Sequence, residues 1–385
     1  MSLGAIVGHE QVRRDLGGAA LRGELPGSLL LHGPRGVGKQ RIGLWLGQLL
    51  LCEAPNAAGA CGACAACRLS SRIEHPDLHW FFPLPRPKAS GDKLGDALED
   101  ARAAELAARR AAPWSTGGTG EAASYYLAMI QTLRRIAVAR PAMASRKVFI
   151  IGDAELLVPQ ESSQESANAL LKLLEEPPSG TYFILTASDP ESLLPTIRSR
   201  LLPVRLRALP ETEVAAYLTS AHAFGADEAR LAARLGQGAI GRALGYRAGP
   251  GTDGPLGEFR ERARELLAAA AGASPGPRLA AAHATAPAAA RGGFSDTLDA
   301  LLAWLRDLAA VATGATDAVV NTDALAFLGD LARRLPGAAS GAPRAIKIVE
   351  DALDLAQGNV NPQLVLAAAL RDVHHALATP EQTWT

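Results

Sequence analysis

The chain has 385 residues, 48% of them apolar, with 39 basic and 39 acidic side chains. That length suits about two to three domains with real cores, and the charge balance argues against a protein that coats DNA by charge alone. No stretch approaches the ~18 uninterrupted apolar residues of a membrane helix. The first residues lack the basic-then-apolar pattern of a secretory leader, so a cytoplasmic location without a membrane partner is expected.

Five apolar, β-rich runs are predicted as strands: Ser28–His32, Asp77–Phe82, Lys147–Ile151, Thr181–Thr186 and Leu202–Leu206. Helical patterns lie between them, which predicts a parallel sheet covered on both faces. The first run leads into Gly33-Pro34-Arg35-Gly36-Val37-Gly38-Lys39-Gln40, followed by a helical run from Arg41 to Leu51. This is the strand–loop–helix setting of the phosphate-binding motif G-x-x-x-x-G-K-[ST]. Gly33, Gly36 and Gly38 would let backbone N–H groups face phosphate oxygens, and Lys39 would reach the outer phosphates. The next position should give a hydroxyl to Mg²⁺, but Gln40 has none, and its longer amide fits a tight octahedral shell poorly. ATP binding is expected to be weak or absent.

Residues 83–120 interrupt the alternation and read as an exposed insertion, partly disordered, with no visible chemistry. After Leu206 the strands stop. Residues 1–206 form the expected nucleotide-type α/β domain, 207–248 a small helical lid, and 257–385 an Ala/Leu-rich helical domain. The fold class is therefore α/β plus all-α.

Cys52, Cys61, Cys64 and Cys67 are the only cysteines and fall within a module of about residues 50–69. Four thiolates at this spacing can close a tetrahedral Zn²⁺ shell, which leaves no position for substrate and so implies a structural role. Two other readings fit: an iron–sulfur cluster, although no Pro follows the last cysteine, and unligated core thiols. His75 and His79 lie nearby and are read as strand-end and surface histidines.

A working loop also needs an acidic residue at the end of a second strand and a group that orients water. In Val148-Phe149-Ile150-Ile151-Gly152-Asp153-Ala154-Glu155 an adjacent acidic pair is missing in either register. Gln40 and this strand end are read as two independent losses in one reaction. Thr186-Ala187-Ser188-Asp189 ends the fourth strand as either a γ-phosphate sensor or a capping cluster before Pro190.

Together with Ile6-Val7-Gly8-His9, the loop and the cysteine module, three further stretches carry a family likeness. They are Asn168-Ala169-Leu170-Leu171-Lys172-Leu173-Leu174-Glu175-Glu176-Pro177-Pro178, Thr196-Ile197-Arg198-Ser199-Arg200 and Asn361-Pro362-Gln363-Leu364. The chain resembles the delta-prime subunits of the bacterial DNA polymerase III clamp loader, within the AAA+ family. The resemblance implies an AAA+ domain, a lid and a C-terminal helical collar in a ring that loads the sliding clamp onto primed DNA. It also implies a non-hydrolysing stator partnered by delta and gamma/tau-type subunits, within a DNA-directed DNA polymerase (nucleotidyltransferase) holoenzyme. Arg200, in Ser199-Arg200-Leu201, matches an arginine placed in a neighbour's ATP site. The motif's cysteine, a packing residue, is replaced by Leu201. Arg242 matches a lid arginine that contacts nucleotide. The alternative is the ATP-hydrolysing gamma/tau-type motor subunit, which would carry Ser or Thr at position 40 and an intact acidic pair near Asp153.

Overall fold

A computed structural model describes residues 6–91, 93–111, 123–157, 164–247, 254–285, 291–356 and 360–379. They divide between two compact units, the first holding those of residues 6–111, 123–217 and 238–241, the second those of 218–237 and 242–379. The division falls inside the stretch read as the lid.

The first unit is built on a parallel sheet of β1 (Ser28–His32), β2 (Leu78–Phe81), β5 (Lys147–Ile151), β6 (Thr181–Ala187) and β7 (Leu202–Arg205), in the order β2-β5-β6-β1-β7. These are the five expected strands, with ends shifted by no more than one residue. The apolar runs are continuous because both faces are covered: Leu29, Leu31, Phe149, Ile151, Phe183 and Leu185 are all fully buried. Register aligns Leu30 with Leu185 and Pro203, so the strands end together at one edge of the sheet. In open sheets of this kind ligands bind beyond that edge. The covering helices are α1 (Glu10–Arg22), α2 (Lys39–Leu51), α3 (Ala65–Ser71), α4 (Lys93–Ala111), α5 (Leu127–Val138), α6 (Gln164–Glu175) and α7 (Pro195–Arg198).

The described part of 83–120 is not an exposed insertion. A two-stranded hairpin, β3 (Leu84–Pro85) with β4 (Ala123–Ser124), frames it, and Leu98 of α4 is fully buried in the core of the first unit. Arg102 lies over the Phe81 ring at 4.8 Å, and Arg109 over Phe82 at 3.9 Å. The arginine stems and planes cover apolar surface while reading as solvent-facing charge in the sequence. Residues 112–120, where disorder was also expected, lie outside the described residues.

Helix α8 (Glu211–His222) runs across the division between the units. The second unit holds α9 (Ala226–Leu235), part of α10 (Ile240–Leu244), α11 (Pro255–Ala271), α12 (Pro275–His283), α13 (Arg291–Ala312), α14 (Leu325–Arg334), α15 (Ala342–Ala356) and α16 (Pro362–Ala378). Its core centres on α13, where Trp304, Leu301, Leu305 and Leu308 are buried with Val349 and Leu370. Trp304 Nε1 donates to Arg260 O at 3.0 Å, which satisfies the one polar atom of that ring. No helix among the described residues is long and apolar enough to cross a membrane.

Candidate functional site

The phosphate-binding loop lies at the C-terminal end of β1 and opens α2. Gly33, Gly36 and Gly38 have φ of 151°, 80° and 105°, all in the region that favours glycine. At Gly33 a Cβ would come within 2.1 Å of Leu206 O, so no side chain fits. Lys39 points back into the loop: Nζ donates to Gly33 O at 2.9 Å, Pro34 O at 3.0 Å and Ser188 Oγ at 2.9 Å. Burial pushes its ammonium below the ordinary lysine value, opposed by Asp153 and Glu155. Burial, with help from the Asp153 charge, pushes the Glu155 carboxyl up. His9 bonds Val37 O at 3.0 Å and Gly241 N donates to Gly36 O at 2.9 Å, so the loop is braced from two sides.

Gln40 occupies the metal end of the site. Its Nε2 donates to Asp153 Oδ2 at 3.1 Å, and its Oε1 accepts from Trp80 Nε1 at 3.1 Å and Arg109 Nη1 at 3.3 Å. A Cβ built on Gly152 would lie 2.8 Å from Gln40 Nε2. A side chain at position 152 would have to displace the Gln40 amide from these bonds, so the two altered positions are neighbours in the structure.

The end of β6 splits the sequence alternatives by residue. Ser188 Oγ meets Lys39, the place of a sensing group, while Asp189 caps the turn Pro190–Ser192 by accepting from Glu191 N at 3.1 Å. Thr186 Oγ1 accepts from Asp153 N at 3.1 Å.

Arg200 follows α7. Its Nε and Nη2 both donate to Glu175 Oε2, and its Nη1 to Thr196 O at 2.8 Å. Leu201 beside it is buried, as a packing residue should be. Arg242 belongs to the second unit, where it lines a small cleft with Gln237, Tyr246, Arg260 and Asn321.

The four cysteine sulfurs lie within 4.8 Å of one another, and Cys61 Sγ is 3.9 Å from Cys67 Sγ. Sulfurs bound at ~2.3 Å to one tetrahedral ion lie ~3.8 Å apart, so the donor set fits a metal. That spacing is far beyond a disulfide. Amides supply the outer contacts: Cys61 N to Cys52 Sγ at 3.2 Å, Cys64 N to Cys61 Sγ at 3.4 Å and Cys67 N to Cys64 Sγ at 3.3 Å. The backbone N–H groups of Ala63 and Cys64 bring the Cys61 thiol down to about 6, whereas burial pushes Cys67 up.

His75 lies just before β2, as a strand-end residue, but neither histidine is at the surface. His75 is buried and its Nδ1 accepts from Asp77 N at 3.0 Å. His79 stacks on Phe149 with centroids 4.8 Å apart, and burial lowers it to about 4. Both are core groups of the β2 edge.

The model of the family described as DNA polymerase III, delta subunit, matches residues 8–210. The chain belongs to this family. A DNA polymerase III subunit delta′ of Pseudomonas aeruginosa is 32% identical over 186 residues, covering 48% of this chain and 44% of that protein. A DNA polymerase III subunit tau/gamma of Haemophilus influenzae is 42% identical over 79 residues, covering 20% of this chain and 11% of that protein. The chain therefore spans less than half the length of each of these relatives. A Thermotoga maritima DNA polymerase III gamma subunit-related protein has 15% identity and a TM-score of 0.43, covering 94% of this chain and 99% of that one.

The DNA polymerase III delta subunit match takes in the loop, the cysteine cluster and Arg200, and stops short of Arg242. Sequence reasoning missed Trp80, Arg109 and Tyr125 at the metal end. Tyr125 is buried and its hydroxyl donates to Gly152 O at 2.6 Å. A run of three aromatic residues was visible in Trp80-Phe81-Phe82, but nothing in the spacing tied it to Arg109.

Proposed function

We propose that this chain is a delta-prime-type subunit of the DNA polymerase III clamp loader that does not hydrolyse ATP. In this reading it is a stator with an AAA+ domain, a lid and a collar, and it works with delta and gamma/tau-type subunits to place the sliding clamp on primed DNA. Arg200 serves a neighbouring subunit's ATP site, where its planar fork stabilises charge on the γ-phosphate. The cysteine cluster holds a structural Zn²⁺, and Arg242 is a remnant of a nucleotide contact. The protein works in the cytoplasm, as replication requires.

The observation that carries this reading is Gln40 packed against Gly152. The hydroxyl that helps hold Mg²⁺ in a hydrolysing loop is replaced by Gln40, no adjacent acidic pair stands at the end of β5, and a side chain at position 152 would have to displace the Gln40 amide. The kinship with tau/gamma relatives supports a second reading, an ATP-hydrolysing motor subunit. Turnover by the purified chain separates them: a stator gives none above background, whereas turnover abolished by Lys39→Ala establishes the motor. Reconstitution with delta and gamma/tau-type subunits, clamp and primed DNA then tests the assembly role.

A further inference from the structure

In a hydrolysing loop, the divalent ion lies between the residue after the lysine and the acidic end of the neighbouring strand. Here an arginine from α4 reaches that end of the site. Four groups hold its guanidinium: the Phe82 ring at 3.9 Å, the Trp80 ring at 4.9 Å, Glu105 Oε1 at 2.8 Å from Nε, and Gln40 Oε1 at 3.3 Å from Nη1.

The lone-pair count at Gln40 is complete. An amide oxygen has two lone pairs, and Trp80 Nε1 and Arg109 Nη1 take both. The amide nitrogen has no lone pair to give and donates to Asp153. Gln40 therefore offers a metal nothing, and of the two nearby carboxylates Asp153 accepts from Gln40 while Glu155 accepts from Ser188 N through Oε1. A second cation placed next to Arg109 would also have to share space with its guanidinium, whose charge Glu105 partly offsets. The donors of Gln40, in the place of the missing hydroxyl, do not fit Mg²⁺.

We propose that α4 is a built-in plug, which seats the Arg109 guanidinium at the metal end of the loop and makes this chain's response to nucleoside triphosphate independent of Mg²⁺. The plug rests on the non-hydrolysing reading above, and it gives the stretch between β3 and β4 a task. Positive charge that a hydrolysing subunit borrows from a divalent ion is here covalently supplied and permanent.

The test uses the full chain and ATP as probe, with melting temperature read in Mg²⁺ and with no divalent ion added. In the unaltered chain, ATP gives the same shift in both buffers. The paired change Gln40→Thr with Gly152→Asp, keeping Arg109, still shows no Mg²⁺ dependence. Adding Arg109→Ala to that pair makes ATP bind at least ten-fold more tightly with Mg²⁺ than without. Mg²⁺ dependence in the unaltered chain, or full dependence in the pair that keeps Arg109, overturns the plug. So does a folded triple variant that remains indifferent to Mg²⁺.

A measurement without nucleotide guards against a misfolded triple variant. Arg109→Ala and Gln40→Ala each lower the melting temperature, and together they lower it by less than the sum, because they share a contact. Additive losses overturn the proposal. ATP turnover by the unaltered chain is scored separately: turnover removes the stator reading, whereas Mg²⁺ dependence without turnover removes only the plug.

Discussion

Arg200 spends its Nε and Nη2 on a single oxygen, Glu175 Oε2, at 3.2 and 3.1 Å. The pair lies on the surface, with the carboxylate more than half exposed. Such pairs contribute roughly 0–1 kcal/mol, so Glu175 parks the guanidinium without trapping it. Arg200→Ala should leave the isolated chain's stability within about 1 kcal/mol of the original. In the assembled loader the same change should cut clamp- and DNA-stimulated ATP turnover sharply, since an arginine supplied in trans is worth ~10³-fold or more at one site. Lysine should not substitute, because it lacks the fork. Unchanged turnover in a fully assembled complex removes Arg200 from the mechanism.

The cysteine cluster should carry about one zinc per chain, as a closed four-sulfur shell does. Cys64→Ser should lower the zinc content and melt the module around α3, because structural metal binding contributes folding free energy directly. Elemental analysis that finds no zinc, with four freely titrating thiols, refutes the metal centre.

Asp77 is buried and accepts backbone N–H groups from Ala142, Met143 and Ala144 at 2.6–2.8 Å. Burial opposes its charge, but these three donors outweigh burial and hold the carboxyl below the usual range. With its folded value depressed, the stabilisation is complete above the unfolded value of about 3.9 and fades as pH falls through the folded one. Asp77→Asn should cost roughly 1–3 kcal/mol near neutral pH. It should also flatten the acid limb of a denaturation series run from pH 7 down to pH 3. An equally steep acid limb in the variant assigns that limb to other groups.

Leu98 tests whether α4 belongs to the core. Truncation of a fully buried leucine costs about 2–5 kcal/mol, so Leu98→Ala should lower stability by that order in denaturant melts. A loss under about 0.5 kcal/mol would mean that α4 is dispensable surface.

The parts of this molecule that sequence could disclose are those whose signals are local. Leu29-Leu30-Leu31 and Phe149-Ile150-Ile151 are uninterrupted because two helical layers cover them, and that run length is itself the sign of a buried parallel strand. The loop glycines and the cysteines are equally local, set within eight and sixteen residues. What escaped depends on distant partners. Gln40 meets Asp153 across 113 positions and Arg109 across 69, and no spacing rule spans such gaps. Helix α4 was read as solvent-facing because its arginines carry charge, yet Arg102 and Arg109 lie flat on aromatic rings.

The contact between Gln40 and Gly152 has a consequence for the history open to this chain. Gly152→Asp alone drives a side chain into the Gln40 amide, whose atoms lie 2.8–2.9 Å from the new Cβ. Gln40→Thr alone removes the group that bonds Trp80, Arg109 and Asp153. Under the non-hydrolysing reading, each single step back toward hydrolysis costs hydrogen bonds that Gln40 now makes, so a change at either position is felt at the other.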